Sequence, residues 1–269
     1  MTLLLLVPSA SSAGPWTKSL GEAYLKLSGS LFTSDTYVDP TGFVQAGLDH
    51  ASLTTSLYAE VGVWDQLAVN FYLPHVVGRN RSAGGDRYAS LGLGDASLGL
   101  QWSSPFLGFP HAIRAGAKFP LYDLGAIEGF EASRFPARGD GQVDFTVAIS
   151  AGDGFEVLGL SGFGYLEAGN VFRSEWFTGT DDGRVLLDSV TGSGQVGLSL
   201  VEWLTLAVSV QALLPYSEDR VSKAYLTVGG AAFVRVWKSL SVELGADFIA
   251  LARNGSIGSS YSLGVSYAL

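Results

Sequence analysis

Three observations predict an all-β chain folded as a transmembrane antiparallel up-and-down β-barrel of about twelve strands. The first is an apolar surplus with nowhere helical to go. Of 269 residues, 47 % are hydrophobic and 15 % charged, against about 25 % charged in soluble domains, and the mean hydropathy is +0.28. Yet no stretch offers the run of about 20 apolar residues that a spanning helix needs. The second is a period of two from Gly21 onward, the mark of strands. The third is an alternation of tight and long connections along the whole chain. Every backbone group in lipid must be satisfied internally, and a closed barrel does so with short alternating segments.

The chain divides into three parts. Leu3 to Val7 is a short apolar core and Ser11-Ser12-Ala13 offers small residues at cleavage positions, so residues 1–13 read as an export signal cut after Ala13. The basic residues that ordinarily precede such a core are missing. Residues 14–20 read as a short periplasmic segment, too brief for a substantial plug, and residues 21–269 as the barrel.

Twelve segments alternate: Gly21 to Thr33, Ser52 to Trp64, Leu67 to Val77, Leu91 to Ser103, Ala112 to Tyr122, Gln142 to Ala151, Glu156 to Arg173, Leu186 to Leu200, Trp203 to Leu214, Ala224 to Trp237, Leu240 to Ala252 and Ser259 to Leu269. In the first, Ala23, Leu25, Leu27 and Leu31 share a face opposite Tyr24, Lys26, Ser28 and Ser30. The second face is small and polar rather than densely charged, as a lumen opposite a lipid-facing band should be. Connections after odd segments are long and polar: Ser34 to Ala51, Gly78 to Ser90, Asp123 to Gly141 and Ser174 to Val185. Those after even segments are mostly tight: Asp65-Gln66, Gly152-Asp153-Gly154, Val201-Glu202 and Lys238-Ser239. Outer-membrane barrels keep short turns in the periplasm and long loops outside. Trp16, Trp64, Trp102, Trp203 and Trp237 fall at the short-turn end, where amphipathic rings collect at the headgroup level.

Several phrases resemble a known family. Gly21-Glu22-Ala23-Tyr24-Leu25-Lys26-Leu27, Leu57-Tyr58-Ala59-Glu60-Val61-Gly62, Gly94-Asp95-Ala96-Ser97-Leu98-Gly99-Leu100 and Gly141-Gln142-Val143-Asp144-Phe145 are similar to outer-membrane transporters associated with the meta-pathway of phenol degradation. The resemblance implies a barrel handling small aromatic or apolar compounds, with no catalytic residues to carry over. Lys118-Phe119-Pro120-Leu121 stands where such proteins often have a Pro-Thr-Gly turn, and Leu269 replaces a terminal Phe.

Motifs of other chemistry have plainer explanations. Gly192, Gly194 and Gly197 match a dinucleotide fingerprint but sit inside one strand, with no helix to follow. His50 and Ser52 point the same way and could suit a lipid-cleaving barrel of the outer-membrane phospholipase A type, which carries such a pair on its outer face, but the segment opens a loop-to-strand junction and lacks the Asn-Gly context of that enzyme. Cysteine is absent and the three histidines are scattered, so neither metal nor cofactor is expected. Asp86 and Asp181-Asp182 lie in loops that ordinarily face water. Arg79, Arg81 and Arg87 share one loop and suit lipopolysaccharide phosphates, although solvated loop residues explain them equally.

The lumen carries most information. Inward parity collects a charge cluster, Asp95, Lys118 and Asp144, with Asp95 expected directly across from Lys118 in a hairpin centred between Phe106 and Leu107. Glu60, Arg114, Glu167, Tyr58, Tyr72, Tyr122 and Tyr165 also face inward. Small residues elsewhere on that face should leave space in a twelve-stranded barrel. The expected function is therefore a passive outer-membrane channel or transporter for small molecules, not an enzyme. A lipid-acting enzyme and a non-conducting structural or adhesion barrel are the alternatives. Expected partners are outer-membrane lipid and lipopolysaccharide, the barrel-assembly machinery acting on the last strand, and the solute. The formal charge of −9 argues against nucleic acid.

Overall fold

The computed structural model describes residues 14–81, 85–104, 108–122, 136–177, 186–218 and 222–269. The expected export signal, and the expected loop tips around Gly84 and Asp182, lie outside the described residues. Among the described residues, thirteen strands form one antiparallel sheet closed on itself. They are β1 (Ala23–Val38), β2 (Val44–Trp64), β3 (Leu67–Arg81), β4 (Arg87–Leu93), β5 (Asp95–Ser104), β6 (His111–Pro120) and β7 (Gln142–Val157), followed by β8 (Leu160–Phe177), β9 (Ser189–Val201), β10 (Leu204–Pro215), β11 (Ala224–Arg235), β12 (Leu240–Arg253) and β13 (Gly255–Ala268). Consecutive strands pair except β4 and β5, which both pair with β3, and β1 pairs with both β2 and β13, which closes the ring. Beyond the ladder, Leu269 N–H donates to the Ala23 carbonyl at 2.8 Å.

β4 and β5 occupy one position in the wall, so the barrel has twelve staves. The cause of the interruption is Pro74, which has no N–H for the ladder. Above it β3 pairs with β4, His75 opposite Leu93; below it β3 pairs with β5, Tyr72 opposite Ser97. The two registers differ by one residue, and a one-residue slip reverses which side chains face out. Leu91 and Leu93 therefore face lipid above Gly94, and Leu98 and Leu100 below it, despite their opposite parity.

The outer surface is a continuous apolar band, including Leu27, Leu57, Val147, Leu166, Val208 and Leu263, all exposed. An exposed apolar surface of this extent needs a membrane around it. Val208 is 65 % exposed at mid-strand. Trp64, Trp102, Trp203 and Trp237 are exposed at the short-turn end.

Three expected connections are corrected. Most of the expected loop from Ser34 to Ala51 is strand, leaving only a tight turn at 39–43, where the Asp39 carboxylate accepts from Thr41 N at 2.8 Å and Phe43 N at 2.9 Å. Such side-chain turns let strands continue past the membrane. The expected loop from Gly78 to Ser90 shrinks similarly, with Arg81 opposite Arg87. The turn expected at Gly152-Asp153-Gly154 lies instead at Leu158 and Gly159, whose φ of 52° and 76° suit a two-residue hairpin. Gly152 serves close approach between strands, since a Cβ there would stand 2.5 Å from the Gly164 carbonyl.

Candidate functional site in the lumen

Inward-facing side chains sort into three levels. At the short-turn end lie Phe163, Tyr165, Ala207 and Phe233, a buried cluster on β8, β10 and β11. Residues 14–20 enter the lumen over it. Trp16 meets Phe163 and Tyr165 edge-on, with ring centroids 6.2 Å away in each case. Pro15 is fully buried, and Gln101 Nε2 donates to the Gly14 carbonyl at 2.9 Å. Lys18 N–H donates to Glu60 Oε1 at 3.3 Å. Gly62 lacks a Cβ that would stand 1.9 Å from the Ser19 carbonyl oxygen.

Two expectations therefore change. Trp16 is not among the membrane-facing tryptophans, because an aromatic bed inside the barrel offers its ring apolar contact and edge-to-face geometry. And the short segment, though brief, occupies the lower lumen, reaching from Glu60 on β2 to Gln101 on β5 and Tyr165 on β8.

The middle level holds small polar groups and two ion pairs. Lys26 Nζ meets Glu243 at 2.6 Å, and Arg114 pairs with Glu167. Tyr58 Oη donates to Glu60 at 3.3 Å, and its ring lies 6.1 Å from that of Tyr24. Tyr72 sits opposite Tyr58 on the neighbouring strand. Ser28 and Ser56 share a hydrogen bond of 2.9 Å, and Ser30 and Ser260 one of 2.7 Å.

The upper level is the charge cluster. Lys118 reaches Asp95 at 3.0 Å, Asp144 at 2.7 Å and Asp140 at 3.0 Å. Arg173 joins Asp144 at 2.5 Å and Asp140 at 3.1 Å, and Lys223 approaches Asp140 at 3.7 Å. The three expected residues are thus brought together, but within a balanced set of six. Asp95 does not face Lys118 directly: it pairs with Pro120, while Lys118 pairs with Ser97 and Asp144. The hairpin turns one residue later than expected, which shifts the register by two and preserves inward parity. The Phe106–Leu107 centre itself lies outside the described residues. Lys118 is long enough to close the resulting diagonal.

Arg173 could have been found from sequence, since it shares parity with Glu167 and Tyr165. Asp140 could not. It belongs to a segment, residues 136–141, that folds against the inner wall. Asp140 N–H donates to Asp95 Oδ2 at 2.8 Å, and Gly94 and Gly139 leave room that a Cβ would fill, 2.5 Å from the Arg138 carbonyl and 2.3 Å from the Asp95 carboxyl carbon respectively. Arg138 stacks 4.6 Å above the Tyr122 ring. Burial opposes ionisation of Asp140, but Lys223, Lys118 and Arg173 outweigh it and hold its carboxyl well below the usual range.

Beside the cluster lies a cavity of about 380 Å³, walled by Lys118, Asp144, Arg173, Val171, Leu187, Leu213 and Tyr225 among others. A second, of about 290 Å³, is walled by Phe32, Gln211, Thr227, Asp247, Ile249 and Ser260 and shares Tyr225 with the first. Pockets of a few hundred Å³ with an apolar wall and a few polar groups suit small molecules. His50 faces this lumen too. Its ring lies 5.7 Å from Phe32 and its Nδ1 is 2.6 Å from Asn80 Oδ1, so it does not present at the lipid face as the lipid-cleaving reading requires.

No family model and no curated protein matches the chain. Solved structures do. An outer-membrane channel from Pseudomonas putida F1 superposes with a TM-score of 0.71 at 11 % identity, covering 97 % of this chain and 100 % of that one. The fold is that of an outer-membrane β-barrel. The KdgM porin aligns with this barrel at a TM-score of 0.52 and 8 % identity, over 90 % of this chain and 98 % of its own. The β domain of the Bordetella autotransporter BrkA gives 0.51 at 11 % identity, over 92 % and 100 %. Channels and an autotransporter domain share the architecture, so what this barrel does must be argued from its lumen.

Proposed function

We propose that this protein is a bacterial outer-membrane channel through which small molecules pass passively, without covalent chemistry. The observation that carries the reading is the pair of lumen cavities meeting at Tyr225. A purely structural barrel has no need to keep such space beside a buried ion cluster. The walls favour small solutes with aromatic or apolar bodies: Val171, Leu187 and Leu213 line one cavity, Phe32 and Ile249 the other. That agrees with the sequence resemblance to transporters of the phenol meta-pathway. In this reading residues 1–13 are removed on export, the long-connection end faces outward, and β13 serves the assembly machinery.

Purified barrel in planar bilayers should give discrete single-channel steps, and proteoliposomes should swell in small neutral solutes. Folded protein that does neither overturns the channel. The orientation is read separately, by tags near Gly84 and Asp182 that are accessible on intact cells while one at the Leu158-Gly159 turn is not.

A further inference from the structure

The β3–β4 hairpin carries an arginine cluster on its outer face, directly continuous with the apolar band. On β3 the odd residues point out: Val77 is exposed, whereas a Cβ at Gly78 would stand 2.5 Å from Pro136, inside the barrel. The register then builds an outward column. Val77 lies opposite Leu91, Arg79 opposite Ala89, and Arg81 opposite Arg87. Leu91 is 67 % exposed, and all three arginines are exposed. Same-face neighbours along a strand stand about 7 Å apart. Three arginines thus gather within four residues of Val77 and Leu91, where the lipid-facing apolar surface stops.

Two of them sit directly across from each other, an arrangement that destabilises a sheet unless an anion lies between or beside them. Asp49 faces Arg81 from β2 and Asp86 precedes Arg87 in the chain, which leaves a net surplus of one positive charge. Ordinary exposed charges do not favour this pattern; a phosphate does, because the planar guanidinium fork matches its oxygens in pairs.

We propose that Arg79, Arg81 and Arg87 form a binding site for the phosphate groups of an outer-leaflet glycolipid, whose acyl chains lie on Val77, Leu91 and the band below. The position argues for a lipid over free phosphate, since the cluster borders the surface that acyl chains cover. The site rests on the outward orientation of this end, but its chemistry is measurable without it.

The probe is lipid A bearing both phosphates, compared with its dephosphorylated form, binding to folded barrel in neutral detergent by native mass spectrometry. Wild type should prefer the phosphorylated form at least ten-fold, and the R79Q/R81Q/R87Q variant should lose that preference while keeping its heat-modifiable mobility. D49N should tighten binding. Absence of the preference in wild type, or its survival in the triple variant, overturns the site. Inorganic phosphate displacing lipid A at equal concentration would overturn the lipid as its ligand. If lipid A binds as expected but tags place this end in the periplasm, the phosphate-binding chemistry stands, while the orientation fails and with it the outer-leaflet glycolipid as the ligand.

Discussion

The two ends of the lumen are narrowed by unlike means. At the long-connection end, six charged groups on β6, β7, β8 and neighbouring segments neutralise one another. At the short-turn end, residues 14–20 lie against aromatic rings, held by dispersion, edge-to-face contacts and a few hydrogen bonds to backbone. The first is built mostly from the wall itself and costs much to disturb. The second is an appended strip with a half-exposed tryptophan, whose removal leaves every ladder intact. Rigid selectivity is expected of one and adjustable opening of the other.

The largest effect should come from breaking the wall-borne end. Asp144 and Arg173 have side chains only 3 % and 7 % exposed, and removing one partner of a buried pair costs about 3–5 kcal/mol. Arg173→Met should lower unfolding stability by that order in urea titrations of the refolded barrel. A variant as stable as wild type would show that the cluster contributes nothing to holding this end.

Trp16→Ala tests the other end. Two edge-to-face contacts at about 0.5–1.5 kcal/mol each set the expected loss at about 1–3 kcal/mol. The larger readout is conductance, which should rise several-fold because the ring no longer pins the segment across the lumen. Equal conductance would mean that the narrow point lies elsewhere.

How much of each end could be read from sequence follows from what carries it. Period two placed Lys118, Asp144 and Asp95 on the inner face, and a register error of two left that intact because the period divides it. The same rule would have admitted Arg173. Leu91 and Leu98 have opposite parity yet both face lipid, and that conflict between Leu93 and Ala96 was a legible trace of the bulge at Gly94. Trp16 misled because a tryptophan at a strand end suits an interface or an inner aromatic bed equally, and only the third dimension decides. Asp140 left no trace, since no periodicity governs a connection that folds inward. Gly152 reads as part of a turn by residue type, whereas strand spacing explains it.

Selectivity should shift when the upper cluster loses its balance. Lys118→Gln leaves Asp95, Asp140 and Asp144 against Arg173 and Lys223, a surplus of one negative charge where charged lumen residues set ion preference. Reversal potentials under a salt gradient should move toward cations. Trp16→Ala, which changes no charge, should leave the preference where it was. A shift in the second variant and not in the first would place the selective level at the short-turn end.

The smallest effect at neutral pH, and the most diagnostic in acid, belongs to Asp140. Its carboxyl, 3.8 when unperturbed, is held lower in the fold because Lys223, Lys118 and Arg173 outweigh its burial. A depressed carboxylate contributes stability that is complete above its unfolded value and lost as pH falls through the folded one. The cluster should therefore be indifferent to pH across the neutral range and weaken only below about pH 4. Unfolding midpoints of wild type and Asp140→Asn should differ by a constant amount from neutrality down to that point and then converge, as protonation brings wild type to the charge state of the variant. A gap that stays constant into strong acid would mean that Asp140 acts through shape or hydrogen bonding at this end, and not through its charge.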